Sequence, residues 1–238
     1  MEEKLNGIVL GAVPYGENDK IINVFTLEKG KISARAKGVK KAGAKLKFAT
    51  EPFCFVEYVF LKTGDKRTVK TASIIDSFYP LRESVERYFC AATIVEFVRK
   101  FFKADMVSPQ AFMLVVESLK SLAYGENTPK YYLLDFFIKA LAETGYGINS
   151  FACASCGQEI TKKPFFDYYE GGFFCEDCKK DTSREINFLT FDAINKVARG
   201  EKVLESGANL GLRLIDFYLS NKMEENITSL KELLKLDC

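Results

Sequence analysis

The chain has 238 residues, 47% apolar and 28% charged, the profile of a soluble globular protein with room for one large domain or two to three small ones. It contains no histidine, which excludes imidazole acid–base catalysis, Ser-His-Asp and Cys-His machinery, and every zinc site that needs a His ligand. The net charge of +2 is uneven: residues 1–80 hold 14 Lys/Arg against 9 Asp/Glu, an asymmetry typical of a polyanion-binding module.

The first 80 residues read as strands. NGIVLGAV (6–13), KIINVFTL (20–27), KISARAKGV (31–39), FCFVEYVFLK (53–62) and RTVKTASIID (67–76) are β-branched, aromatic or alternating. PYGEND (14–19), EKG (28–30) and Gly64 with Asp65 supply turns. Five short strands in so little chain predict a closed barrel, of oligonucleotide-binding (OB) type or SH3-like, because closure removes exposed edges.

After Pro80 the period becomes helical: Leu81, Val85, Tyr88, Ala92, Val95 and Phe102 recur on one face. Ser108-Pro109 and Thr128-Pro129 predict two further helix starts, with stops near Gly125 and Gly145. Beyond the cysteines, Thr190 is expected to cap a helix ending at Gly200, and NLGLRLIDFYLSNK (209–222) forms the next. Ser229 and Glu232 have capping-box spacing for a last one. Aromatics on these helices, such as Phe101, Phe102, Phe112, Tyr131, Tyr132 and Phe136, read as core before they read as a peptide groove. The expected fold is α+β and multidomain. A five-stranded OB-like barrel (1–80) precedes an α-helical domain (81–150 and 183–238) that carries an inserted four-cysteine zinc knob (151–182).

No apolar run approaches the ~20 residues of a membrane span, and the acidic MEEKLNGIVL is not a signal peptide. A cytoplasmic location with no membrane partner is therefore expected, where paired cysteines hold metal or do redox chemistry more often than they form disulfides. Cys153, Cys156, Cys175 and Cys178 fit C-x2-C-x18-C-x2-C. Two CxxC turns brought together by a hairpin would present four thiolates in a tetrahedral shell, closed to water and substrate. One structural zinc ion is the leading reading; an iron–sulfur cluster could use the same ligands, and thiol redox chemistry would need only one of the pairs. Cys54 and Cys90 read as core residues and Cys238 as an exposed terminal thiol.

Between residues 29 and 47 stand Lys29, Lys31, Arg35, Lys37, Lys40, Lys41, Lys45 and Lys47, with no acidic residue among them. A solvated loop would explain two or three such lysines. Eight unopposed charges call for a counter-ion, a nucleic acid first and an acidic protein surface second. Lys31, Ser33 and Arg35 should share one strand face, with Lys40 to Lys47 as a flexible arm beside it. Phe25, Phe48, Phe53, Phe55 and Tyr58 are candidates to stack on unpaired bases, although most strand aromatics simply fill the core. No P-loop and no carboxylate cluster of a two-metal nuclease is visible, which gives no catalytic residue to name. Three other readings fit the same features: a zinc-ribbon RNA- or ribosome-binding protein, a metal enzyme acting on nucleic acid, and an interaction scaffold.

The order of parts resembles the bacterial recombination-mediator and DNA repair RecO family. The resemblance rests on GIVLGAVPYGENDKIINVFTLEKGKISARAKGVKK and on LAETGYGINSFACASCG with YYEGGFFCEDC, and covers about residues 5 to 200. It implies an OB barrel, a helical body and a zinc knob, with no enzymatic activity. It also implies binding of single- and double-stranded DNA, annealing of complementary strands, and help from RecR in loading RecA onto DNA coated by single-strand-binding protein. The C-terminal end departs from the family pattern: Leu230 follows Ser229 where a basic residue is usual, and an acidic MEEN (223–226) precedes it.

Overall fold

The computed structural model describes residues 1–104 and 106–236. Five strands, β1 (Glu2–Tyr15), β2 (Asp19–Thr26), β3 (Gly30–Ala36), β4 (Phe55–Thr63) and β5 (Lys66–Asp76), close into a barrel in the order β1-β2-β3-β5-β4. That order, with β3 meeting β5 in parallel at the single pair Arg35↔Thr68, is the OB arrangement. β1 is long enough to serve two neighbours. Its first half pairs with β4 and its second with β2, and a bulge between Val9 and Gly11 lets it coil around the barrel.

Inward positions follow the strand period. Leu5, Val9, Ile22, Val24, Ile32, Ala34, Val56, Phe60 and Val69 fill the barrel. Tyr58 is also buried there, and its hydroxyl donates to the Ala49 carbonyl at 2.6 Å on the short helical turn Phe48–Thr50. Three expectations for base-stacking residues fail here: Phe25, Phe53 and Tyr58 are buried, while Phe48 and Phe55 are half-buried.

Among the described residues six α-helices follow: α1 (Val85–Phe101), α2 (Pro109–Tyr124), α3 (Pro129–Glu143), α4 (Phe188–Ala198), α5 (Glu205–Lys222) and α6 (Thr228–Lys235). Two compact units emerge. The first joins residues 1–84 to 94–124; the second joins 85–93 to 125 and beyond.

In the first unit, Phe25 projects outward from β2 yet is covered, with Phe102 and Phe112 each 5.7 Å away between ring centres. Phe112 also meets Phe55 at 5.8 Å. The chain after α1 continues over the start of β3, where Ala104 bridges Lys31 in parallel. Gly30, at φ 63°, has no room for a side chain there because the Met106 backbone lies against it.

In the second unit, Gly211 lets α5 approach α3 closely; a methyl group at 211 would stand 2.7 Å from Leu134. Lys130 is 1% exposed, with its ammonium 3.1 Å from Glu205 and 3.4 Å from Glu86. A buried ammonium is tolerated only when paired in this way. Phe102, Phe112, Tyr131 and Phe136 are buried, as the core reading requires.

Helix starts were partly legible. Ser108 accepts from the Ala111 N–H at 3.2 Å, a true cap. Thr128 takes the cap position of α3 ahead of Pro129, but its hydroxyl makes no capping bond. Two expectations need correction. α4 starts at Phe188, capped by Asn187, whose Oδ1 accepts from Leu189 at 2.9 Å, so Thr190 lies within the first turn. α6 starts at Thr228 with Ile227 in the cap position, which puts Ser229 inside the helix instead of at its cap. Among the described residues no helix is long and apolar enough to cross a membrane.

Candidate metal centre and nucleic-acid face

The segment between α3 and α4 contains three very short strands, β6 (Phe165–Asp167), β7 (Gly172–Phe174) and β8 (Arg184–Glu185), in the order β7-β6-β8. Each CxxC folds as a tight turn. Gly157, at φ 72°, donates to the Cys153 carbonyl at 2.9 Å, and the Cys178 N–H reaches the Cys175 carbonyl at 3.2 Å. The hairpin β6–β7 brings the two turns together, so the sulfurs of Cys153, Cys156, Cys175 and Cys178 all lie within 4.8 Å of one another. Cys156 and Cys175 stand 3.9 Å apart, close to the ~3.8 Å edge of a tetrahedron with 2.3 Å metal–sulfur bonds.

Ionisation is unevenly divided among these sulfurs. Burial alone would push the Cys153 thiol up, but the backbone N–H groups of Cys156, Cys175 and Ser155 on its sulfur outweigh burial and bring it to about 6. Hydrogen bonding to the Cys175 and Cys156 sulfurs pushes Cys178 up to about 12. Four sulfurs this close cannot all ionise unless a metal neutralises them, and the donor set fits one metal ion. All six described cysteines are free of disulfides. Cys54 and Cys90 are buried, as expected of core residues, and Cys238 lies outside the described residues.

The hairpin that carries these turns is buried on both sides. Phe166 and Phe173 meet edge to face at 4.8 Å on one face, against Tyr218 of α5 at 5.8 Å and Phe191 of α4 at 5.0 Å. On the other face, Lys179 and Lys180 lie over Phe165 and Phe174 at 4.7 and 5.4 Å. Sequence reasoning missed Asp167. It is 0% exposed, and its carboxylate accepts from the N–H groups of Tyr169 and Glu170 at 2.9 and 3.0 Å and from the Thr182 and Ser183 hydroxyls. Burial works to raise this carboxyl, but those bonds, led by Thr182, hold it below the usual carboxylate range. The signal was present: an Asp shortly before Gly171 and Gly172 marks a turn closed by its own side chain.

The basic residues divide into two groups. On β3, Lys31, Ser33 and Arg35 do share the outward face. Lys31, however, donates to the Arg99 carbonyl at the end of α1 at 2.7 Å, and Lys29 belongs to the same end of the strand. Four residues along, roughly 13 Å, Arg35 is clamped by Asp19 with contacts of 2.5 and 2.6 Å and lies 5.0 Å from the Tyr15 ring centre. Asp19 is itself fixed by the Gly38 N–H at 2.7 Å; that bond first, and Arg35 second, hold its carboxyl down.

Lys40 to Lys47 are not a loose arm. They lie on consecutive hydrogen-bonded turns, tied to the β1–β2 hairpin by the Lys40 N–H to Asn18 carbonyl bond of 3.0 Å. Val39 is buried, and Leu46 packs against the barrel core. Lys37, Lys40, Lys41, Lys45 and Lys47 are all exposed, and none forms an ion pair among the described residues. Tyr15, which sequence reasoning assigned to a turn, is the one exposed aromatic among the barrel strands.

Two family descriptions match this chain: Recombination protein O N terminal over residues 1–78 and Recombination protein O C terminal over residues 82–231. A DNA repair protein RecO of Acetivibrio thermocellus is 28% identical over 98% of this chain and 97% of the relative. A DNA repair protein RecO of Anaeromyxobacter sp. (strain K) is 33% identical, covering 77% of this chain and 73% of its own. That of Alkaliphilus metalliredigens is 31% identical, with coverages of 81% and 79%. The barrel falls inside the first matched stretch and the second alone takes in more than half of the residues, so the chain belongs to the Recombination protein O family.

Proposed function

We propose that this chain is a non-enzymatic recombination mediator of DNA repair that binds single- and double-stranded DNA and anneals complementary strands. In the same reading it acts with RecR to load RecA onto DNA coated by single-strand-binding protein, and Cys153, Cys156, Cys175 and Cys178 hold one structural zinc ion. The observation that carries the reading is the group Lys37, Lys40, Lys41, Lys45 and Lys47: five exposed cations without carboxylate partners, held on ordered turns at one end of an OB barrel. Lys29, Lys31 and Arg35 complete the DNA-binding set in a lesser role, because Lys31 and Arg35 already have partners in the protein. The curated relatives bear the name DNA repair protein, which agrees with a DNA ligand.

The physics of annealing fits these parts. Two strands repel as polyanions, and lysines that neutralise phosphates lower that repulsion without making or breaking a covalent bond. A shell of four thiolates, once filled, leaves no coordination position for water, so the centre supports the fold and offers no Lewis-acid chemistry. The deciding experiment anneals complementary labelled strands, bare and coated with single-strand-binding protein, at two salt concentrations and with magnesium present. Faster annealing that weakens steeply with salt, with the strands intact, is the expected result. No acceleration at low salt would overturn the DNA reading, and cleavage would overturn the non-enzymatic one. A competing RNA of the same sequence that displaces the DNA preferentially would point to the RNA-binding alternative.

A further inference from the structure

We propose that the outer face of β1 and β2 beside their connecting turn seats an unpaired nucleobase, with the Tyr15 ring as stacking platform and Arg35 as its positioning residue. The inference rests on the DNA reading and names which chemical part of the ligand this end of the barrel takes.

Strand register places the residues. Val13 stands opposite Ile21, which stands opposite Arg35 on β3, and Tyr15 stands opposite Asp19. The row is therefore apolar, apolar, cationic, with an aromatic ring beside it. Tyr15 is 50% exposed and Val13 54%, an arrangement that a barrel strand gains nothing from in water. Much of the remaining β2–β3 surface is engaged: Phe25 lies under Phe102 and Phe112, Lys31 is bonded to Arg99, and Ser33 donates to Asn23 at 2.7 Å, leaving a smaller cleft of about 250 Å³ beside them. The turn end is the more open. A cleft of about 530 Å³ lies there, lined by Tyr15, Asp19, Arg35, Lys37, Gly38 and Lys41.

Arg35 does more here than supply charge. Asp19 neutralises it and fixes its plane, and the guanidinium then lies against Tyr15 and holds the ring in place. The phosphate contacts fall to Lys37 and Lys41 at the rim of the cleft, while a base from an unpaired strand stacks on the free part of the ring. In a duplex the bases are already stacked on one another, so this contact favours single strands.

The test uses the full chain with a fluorescent single strand carrying 2-aminopurine and a blunt duplex of equal length. Tyr15→Ala should weaken single-strand binding about tenfold, within the range for one stacked base. It should leave duplex affinity within about twofold and the salt slope unchanged, and abolish 2-aminopurine quenching; Tyr15→Phe should restore all of these. Arg35→Lys, which keeps the charge but loses the planar fork, should lose single-strand affinity and 2-aminopurine quenching as Tyr15→Ala does. Equal losses on single strand and duplex, or no loss while the unaltered protein binds both, would overturn the stacking role. Wild-type behaviour of Arg35→Lys would overturn the positioning role. Failure of the unaltered protein to bind either DNA at low salt would overturn the DNA reading itself.

Discussion

In β3, buried and accessible residues alternate along the strand, whereas β6 and β7 are buried at every position. The β2–β3 hairpin belongs to a barrel whose interior supplies its stability, so its outer residues are free to meet a ligand. The β6–β7 hairpin has only three residues per strand, too few to hold together alone. It is kept in place by aromatic contacts on one face and lysine ammonium groups on the other, with four close sulfurs at its end. Both regions announce themselves in the sequence as clusters of reactive or charged side chains. In one the cluster faces water; in the other it replaces a core.

Perturbing each region should therefore give opposite signatures. The largest effect is expected at the cysteine centre. Cys175→Ser, or removal of the metal by a chelator, should destabilise the fold by about 4 kcal/mol or more. Scanning calorimetry would read this as a fall in Tm of roughly 10 °C. An unchanged Tm, or no metal in freshly purified protein, would break the contrast. A smaller loss, about 1–3 kcal/mol, is expected for Gly171→Ala. That residue sits at φ 69°, and an added methyl would stand 2.6 Å from the Tyr218 hydroxyl oxygen. Urea unfolding followed by circular dichroism measures it, and a midpoint equal to that of the unaltered protein would mean the hairpin turn is not held as described. The smallest change in stability, within about 0.5 kcal/mol, is expected for Lys37→Ala combined with Lys41→Ala. Yet this pair should lower the slope of log K against log salt by about 2 in DNA titrations. A destabilised double variant with an unaltered slope would place these lysines on the structural side of the comparison.

Strand existence and barrel closure were readable because period-two patterning is local to each strand. What covers a strand's outer face is not local. Phe25 has the right parity to face solvent, and only the packing of Phe102 and Phe112 removes it. Tyr15 went unseen for the reverse reason. PYGEND has turn composition, but Pro14 and Tyr15 still pair with Lys20 and Asp19, and the turn proper is Gly16 to Asn18. At the start of α4, Asn187 and Thr190 are both competent caps. The choice of Asn187 brings Phe188 into the first turn, 5.9 Å from Phe191 between ring centres. The cysteine spacing was the most legible feature because tetrahedral thiolate geometry fixes it almost without regard to surroundings. The charges on 29–47 were legible in number but not in use, since pairing of Arg35 with Asp19 depends on register across two strands.

The strip of chain around Ala104 bears on how this molecule keeps to itself. β3 pairs with β5 at one residue pair only, so its first half would otherwise show a row of amides and carbonyls ready to recruit a foreign strand. Ala104 blunts that row, and it can come near only because position 30 carries a hydrogen where other residues carry carbon. The cover over that edge thus rests on one of the smallest features of the chain.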